Sequence, residues 1–221
     1  MSFCSHSSPN LTVTQHTHLK ANQPGHRIPP SHQQQQAAMD QQQVEDIVST
    51  AKFGDLIEFS YPIGYSHWGV YDDDGCVIHF AVSDEGQVMN RVRTSLQSVL
   101  PVCGDLLLGE TRIRRVPLGE VNVPEGAHVL ISNNRHRLTA SPPEVMKLRR
   151  DALLDRDFSY HLFSLNCEHF ATFVRYGKAV CNQIPMKAKN VECEEATSVF
   201  HHMVGRVQMD RDLFTRTSST S

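Results

Sequence analysis

The chain has 221 residues, enough for one domain of ordinary size with tails or for two small ones. Its formal charge is −3 at pH 7, which argues against a generic nucleic-acid binder. It contains no run of about 18 apolar residues and no apolar segment behind its polar start, so neither a transmembrane anchor nor a secretory leader is expected and the chain reads as cytoplasmic.

Residues 1–45 are rich in Ser, His, Gln and Pro and poor in large apolar side chains, as in "SHSSPNLTVTQHTHLKANQPGHRIPPSHQQQQ". Such a stretch cannot bury enough surface to offset its ordering entropy, so it reads as a disordered tail. Its histidines, His6, His16, His18, His26 and His32, read as solvated residues rather than metal ligands. A domain is expected over residues 46–185, with a short helix in "QQQVEDIVSTAKF" at its entrance.

From Gly54 to Val82 the pattern is strand, loop, strand, turn, strand. Leu56, Ile57 and Phe59 suit the first strand, and "SHWGVY" and "CVIHFAV" flank "DDDG" as the two arms of a hairpin. Gly75 is available there for a left-handed turn position. One more strand is expected in "DLLLGETRIRRVPL" and another in "GAHVLIS". "SPPEVMKLRRDALLD" reads as a surface helix with Ser141 as N-cap and Val145, Leu148, Ala152 and Leu153 as its apolar residues. In "FSLNCEHFATFVRYG", Phe170, Phe173 and Val174 recur at helical spacing and Gly177 is a stop signal. Residues 186–221 read as a polar, largely flexible tail.

Six cysteines, Cys4, Cys76, Cys103, Cys167, Cys181 and Cys193, are irregularly spaced and form no CxxC pair. Neither a disulfide framework nor a paired-ligand zinc site is expected, and the thiols read as reduced. Cys167 has three readings: core residue, metal ligand or nucleophile. If a helix starts at Asn166, the sulfur lies in the first turn, where unpaired N–H groups and the helix dipole favour a thiolate. A nucleophilic thiol also needs a base. His169 is two residues away, and on a helix i and i+2 point in different directions, so a capping or packing role suits it better. His67 and His79 flank the hairpin. Side chains alternate on a strand, so an odd loop puts both imidazoles on one face and an even loop separates them. The glycine closing "DDDG" favours the odd case, in which one imidazole could take the thiol proton and the other orient it.

"GDLIEFSYPIGYSHWGVY", "GCVIHF" and "LNCEHFATFVRYG" resemble the signature of the lecithin retinol acyltransferase domain family, which includes the H-rev107-like phospholipase/acyltransferases. The resemblance runs from about Phe53 to Ala179 and is strongest at its two ends. It implies an α+β fold, an antiparallel sheet packed against helices in a circularly permuted papain-like (NlpC-type) order. It implies Cys167 as nucleophile and acyl-thioester carrier, His67 as general base and acid, and His79 as the orienting third member. Tyr65 and Trp68 would border the substrate groove or pack against the core, the latter being favoured for each. The implied activity is phospholipase A1/A2 and N-acyltransferase chemistry, with glycerophospholipids as partners, contact with membrane surfaces that is transient, and neither metal nor cofactor. Retinol O-acyl transfer from phosphatidylcholine is the alternative acceptor reading. The long span between His79 and Cys167 leans toward it, while "ISNNRHRLTASPPEV" leans toward the phospholipase branch. A catalytically weak adaptor, a thiol peptidase and a zinc site built on Cys167 are the rivals from other classes. The polar ending "MVGRVQMDRDLFTRTSSTS" lacks the apolar anchor of many family members, and "ATSVFHHMVGRV" reads as solvated or packed rather than membrane-bound.

Overall fold

The structure is a computed structural model that describes residues 32–62, 64–82, 111–121, 123, 126–161, 163–184 and 187–218. In chain order the elements are helix α1 (His32–Thr50), strands β1 (Leu56–Ser60), β2 (Ser66–Asp72), β3 (Cys76–Val82) and β4 (Thr111–Pro117), and a 3-10 turn over Leu118–Glu120. Strand β5 (His128–Ile131), helix α2 (Pro143–Leu153), the two-residue strand β6 (Asp157–Phe158), helix α3 (Cys167–Tyr176) and helix α4 (Glu194–Ser218) follow. The strands form one antiparallel sheet in the order β5-β1-β2-β3-β4-β6. The expected α+β class and the antiparallel sheet packed against helices are therefore present.

Both sheet faces are covered, which explains why β1 to β3 read as nearly continuous apolar runs. On one face Leu56, Trp68, Val70, Ile78, Phe80 and Ile113 share a core with Phe170, Phe173 and Phe200 from α3 and α4. On the other, Ile57, Phe59, Tyr71 and Val77 pack with Ile47 of α1 and Leu118. Helix α3 lies against β2 and presents an apolar side to the first core.

The hairpin determines where the histidines lie. Asp72 pairs with Cys76, so the connection is the three residues Asp73, Asp74 and Gly75, all with positive φ (25°, 53° and 72°). The loop is odd, as expected, and His79 stands opposite Gly69, on the face of β2 that also carries His67.

Several expectations are revised. Residues 32–45, read as tail, belong to α1, where Gln41 and Gln42 bond Glu45 and Asp46 one turn on. Residues 1–31 lie outside the described residues, as do residues 83–110 of the weakly patterned stretch from Ser83 to Leu118. The cap residue of α2 is Pro142, without a side-chain cap. Ser141 instead accepts a hydrogen bond from Arg149 Nη1 at 2.9 Å, and Met146 rather than Val145 is the buried residue of the first turn. Helix α4 occupies much of the stretch read as a polar tail. Its Ala196, Phe200 and Val204 are buried in the first core. No helix among the described residues is long and apolar enough to cross a membrane.

Candidate active site

Helix α3 starts where its sequence says it should. Asn166 is the N-cap, with extended backbone, and its Oδ1 accepts from His169 N at 3.0 Å. His169 Nδ1 accepts in return from Asn166 N at 3.2 Å, so the histidine fills the place of the usual Glu or Gln of a capping box. Gly177, at φ 78°, ends the helix in the left-handed conformation that favours glycine. His169 is thus a structural cap. Burial holds its pKa down at about 4, an effect that neighbouring Glu168 opposes.

Cys167 is the first residue of this helix and is completely buried. Tyr65, just ahead of β2, places its hydroxyl 3.7 Å from Cys167 Sγ and 3.3 Å from the hydroxyl of Tyr160.

His67 and His79 meet at the sheet. His67 Nε2 lies 2.8 Å from His79 Nδ1, and the rings stand nearly perpendicular. Both are buried. Burial lowers the pKa of His67 well below the ordinary imidazole value, and the adjacent His79 lowers it further. Burial likewise takes His79 down to about 4, while a hydrogen bond with the backbone of Phe80 pulls the other way. The second nitrogen of His67, Nδ1, is buried and has no hydrogen-bond partner among the described residues. Gly69 makes the pair possible. A Cβ there would come within 2.5 Å of Val77 Cγ2, 3.0 Å of the Ile78 carbonyl oxygen and 3.4 Å of His79 Cβ.

Trp68 alternates with His67 and so faces the helix layer. It is fully buried there, edge-on to the His136 ring at 5.2 Å, with the Arg135 guanidinium 5.5 Å from its centroid. It is a core residue and borders no groove with His67. Tyr65 does reach the thiol.

A second polar cluster was not visible in the sequence. Glu168 is fully buried, and its carboxylate accepts from His136 Nε2 (2.7 Å), Asn182 N (3.0 Å), Cys181 Sγ (3.0 Å) and Gln183 N (3.3 Å). Burial alone would raise the carboxyl pKa, but these donors, led by His136, bring it below the ordinary value. Burial beside that carboxylate pushes the Cys181 thiol well up, so it stays protonated and inert. Gln183 also accepts through Oε1 from Ser66 N at 2.7 Å, tying the end of β2 to the segment after α3. Glu168 stands in the quoted "NCEHF", but its partners are 13 to 32 residues away. No local pattern could have named them. Among the described residues no group of three or more His, Cys, Asp or Glu is arranged to hold a metal ion.

The sequence profile described as lecithin retinol acyltransferase matches residues 49–180. The chain is 35% identical over 149 residues to human phospholipase A and acyltransferase 4, covering 67% of this chain and 82% of that protein. It is 33% identical over 137 residues to human phospholipase A and acyltransferase 2 (60% and 75% of the two chains) and 30% over 141 residues to human phospholipase A and acyltransferase 1 (63% and 76%). The matched profile spans both histidine strands, the thiol and the helix that carries it, and on this ground the chain belongs to the lecithin retinol acyltransferase family.

Proposed function

We propose that the protein is a thiol-dependent phospholipid acyl hydrolase and acyltransferase. The observation that carries the reading is the buried contact of His67 Nε2 with His79 Nδ1, which leaves His67 Nδ1 without a partner among the described residues. The names of the relatives, phospholipase A and acyltransferase, support the same chemistry.

In this reading His67 Nδ1 takes the proton of Cys167 as the sulfur attacks an ester carbonyl of a glycerophospholipid. The reading requires the tautomer in which the His67 proton sits on Nε2 and is donated to His79 Nδ1, leaving Nδ1 free to accept. His79 thereby fixes the ring in its working orientation, the third-member role of a triad. The tetrahedral oxyanion collects hydrogen bonds from Cys167 N–H at the start of α3 and from the Tyr65 hydroxyl. It collapses as the carbon–oxygen bond breaks, and His67 gives its proton to the leaving lysophospholipid oxygen. The acyl group remains on sulfur as a thioester. Water, an amine or an alcohol then loses a proton to His67 and takes the acyl group, restoring the thiol. Water gives phospholipase A activity, and the amine of phosphatidylethanolamine gives an N-acylated lipid. The lipid is reached by transient contact with a membrane surface from the cytoplasm.

The test is intact-protein mass spectrometry after incubation with phosphatidylcholine vesicles. Wild type should gain one acyl group and release lysolipid, and Cys167→Ser should show no thioester. Added phosphatidylethanolamine or retinol should discharge the adduct if it is an acceptor. Absence of both adduct and lysolipid from folded wild type would overturn the acyl-enzyme reading.

A further inference from the structure

Two tyrosine hydroxyls meet beside the nucleophile, and they come from opposite sides of the sheet. Tyr65 stands just ahead of β2 and packs with the second core, its ring 5.8 Å from that of Tyr61. Tyr160 stands just after β6 and belongs to the first core, 8% exposed, with its ring edge-on to Phe80 at 5.7 Å. The two residues are 95 positions apart in the chain, yet their hydroxyl oxygens lie 3.3 Å from one another. Tyr65 Oη in turn lies 3.7 Å from Cys167 Sγ.

Tyr160 is firmly seated. Thr111 Oγ1 of β4 donates to the Phe158 carbonyl at 2.7 Å, which ties β6 to the sheet two residues before Tyr160. The Phe158 ring meets the same Phe80 edge-on at 5.5 Å. Tyr65 is only half-buried and lies outside the strand. A phenol hydroxyl carries one proton and turns about its C–O bond, so the Tyr65 ring by itself does not fix where that proton points. To present it to a thiolate or an oxyanion, Tyr65 must act as acceptor toward Tyr160 and not as donor. A hydroxyl that accepts one bond also donates the next more strongly, because such a chain polarises along its length. At 3.3 Å the pair is longer than a tight O–H···O bond, as catalytic hydrogen bonds often are before substrate arrives.

We infer that Tyr160 is a positioning residue of the thiol site: its hydroxyl donates to the Tyr65 oxygen and so directs the Tyr65 proton at the Cys167 sulfur and at the oxyanion that forms beside it. The inference deepens the acyl-transfer reading and rests on it for its purpose. In this role Tyr160 acts through Tyr65, so its effect should vanish when the Tyr65 hydroxyl is removed.

The test is a double-mutant cycle in the full-length protein, read as lysolipid release from phosphatidylcholine vesicles. Tyr160→Phe should lower kcat about tenfold with little change in KM, and in a Tyr65→Phe background it should lower kcat no further. Tyr176→Phe is the control. Its hydroxyl donates to the Asn133 carbonyl at 2.8 Å from the far end of α3, so its loss should lower Tm and leave kcat in place. A second readout needs no lipid: a pH titration of thiolate ultraviolet absorbance, taken as the difference between each protein and its Cys167→Ser counterpart. Tyr160→Phe should move the appearance of the Cys167 thiolate to higher pH, but not in the Tyr65→Phe background. Equal kcat for Tyr160→Phe and wild type would overturn the inference. So would the same loss in both backgrounds, or a matching loss of kcat in Tyr176→Phe, since the hydroxyl would then serve only packing. A wild type that releases no lysolipid, yet whose thiolate titration depends on Tyr160 through Tyr65, would keep the hydroxyl pair and sink the acyl-transfer reading. Lysolipid release with kcat and titration both independent of Tyr160 would do the reverse.

Discussion

Replacing Glu168 by glutamine should cost more stability than any conservative change at the catalytic candidates. The carboxylate offers two oxygens to four donors and is completely sealed from water. Glutamine keeps one acceptor oxygen, enough for His136 and Asn182 on the Oε1 side. On the other side its amide N–H groups would confront the Cys181 thiol and the Gln183 N–H, donor against donor. Two charge-assisted bonds are lost and one backbone N–H is left buried without an acceptor. A buried network broken from one side costs about 3–5 kcal/mol. For a domain of this size each kcal/mol lowers Tm by roughly 2–4 °C, so Glu168→Gln should melt about 6–20 °C below wild type. Differential scanning calorimetry measures this. The pH dependence supplies a second readout. The folded carboxyl titrates below its ordinary value of 4.5, so its stabilisation is present above that value and disappears as pH falls through the folded pKa. The variant should lack this part of the acid destabilisation. A Tm within about 2 °C of wild type, with an unchanged acid limb, would refute the reasoning.

Further outcomes follow from the site. With both imidazoles held low by burial, kcat/KM should stay flat through the ordinary histidine range near 6.5 and fall only well below it, and a single midpoint between pH 6 and 7 would contradict this. The same depressed values mean that the unfolded chain binds protons first, so stability should decline as pH drops through that window; His79→Asn, by removing a neighbouring positive charge, should shift the acid limb of the rate upward. Gly69→Ala forces a methyl group to within 2.5 Å of Val77 and should cost about 1–3 kcal/mol in urea unfolding while disturbing the His67–His79 contact enough to depress kcat; unaltered kcat would show that the pair tolerates the shift. Tyr65→Phe should lower kcat by roughly a hundredfold or more with little change in KM if its hydroxyl holds the oxyanion, and a loss confined to KM would assign it to substrate binding instead.

What could be read from the sequence was what depends on short-range rules. The odd turn in "DDDG" placed His67 and His79 on one face because strand side chains alternate, and Asn166 and Gly177 bounded α3 because helix ends leave backbone groups to be capped. The i, i+2 argument favoured a capping role for His169, and its Nδ1 accepts from Asn166 N at the start of α3. What escaped were features set by tertiary neighbours. The ligands of Glu168 come from the turn at His136 and from residues 181–183, and only the folded chain brings them together. The polar outer side of α4 hid Phe200, whose burial depends on meeting Phe158, Phe170 and Phe173. For Trp68 the favoured reading, packing against the core, agrees with its complete burial, since adjacency to His67 on a strand means opposite faces.

The three-residue turn at Asp73, Asp74 and Gly75 has a consequence for how this hairpin can change over generations. It is the pairing it closes, and not its own length, that holds the His67–His79 contact. Residues added to or removed from the tip alter the loop and leave Asp72 opposite Cys76 and His79 opposite Gly69, because paired residues of an antiparallel ladder share a face whatever joins them. A one-residue slip of β3 against β2 sends His79 through the sheet, among Ile78's present neighbours, and removes the contact even though every residue of it survives. Changes confined to this turn should therefore be tolerated, while an insertion within β3 ahead of His79 should be found only together with a compensating bulge.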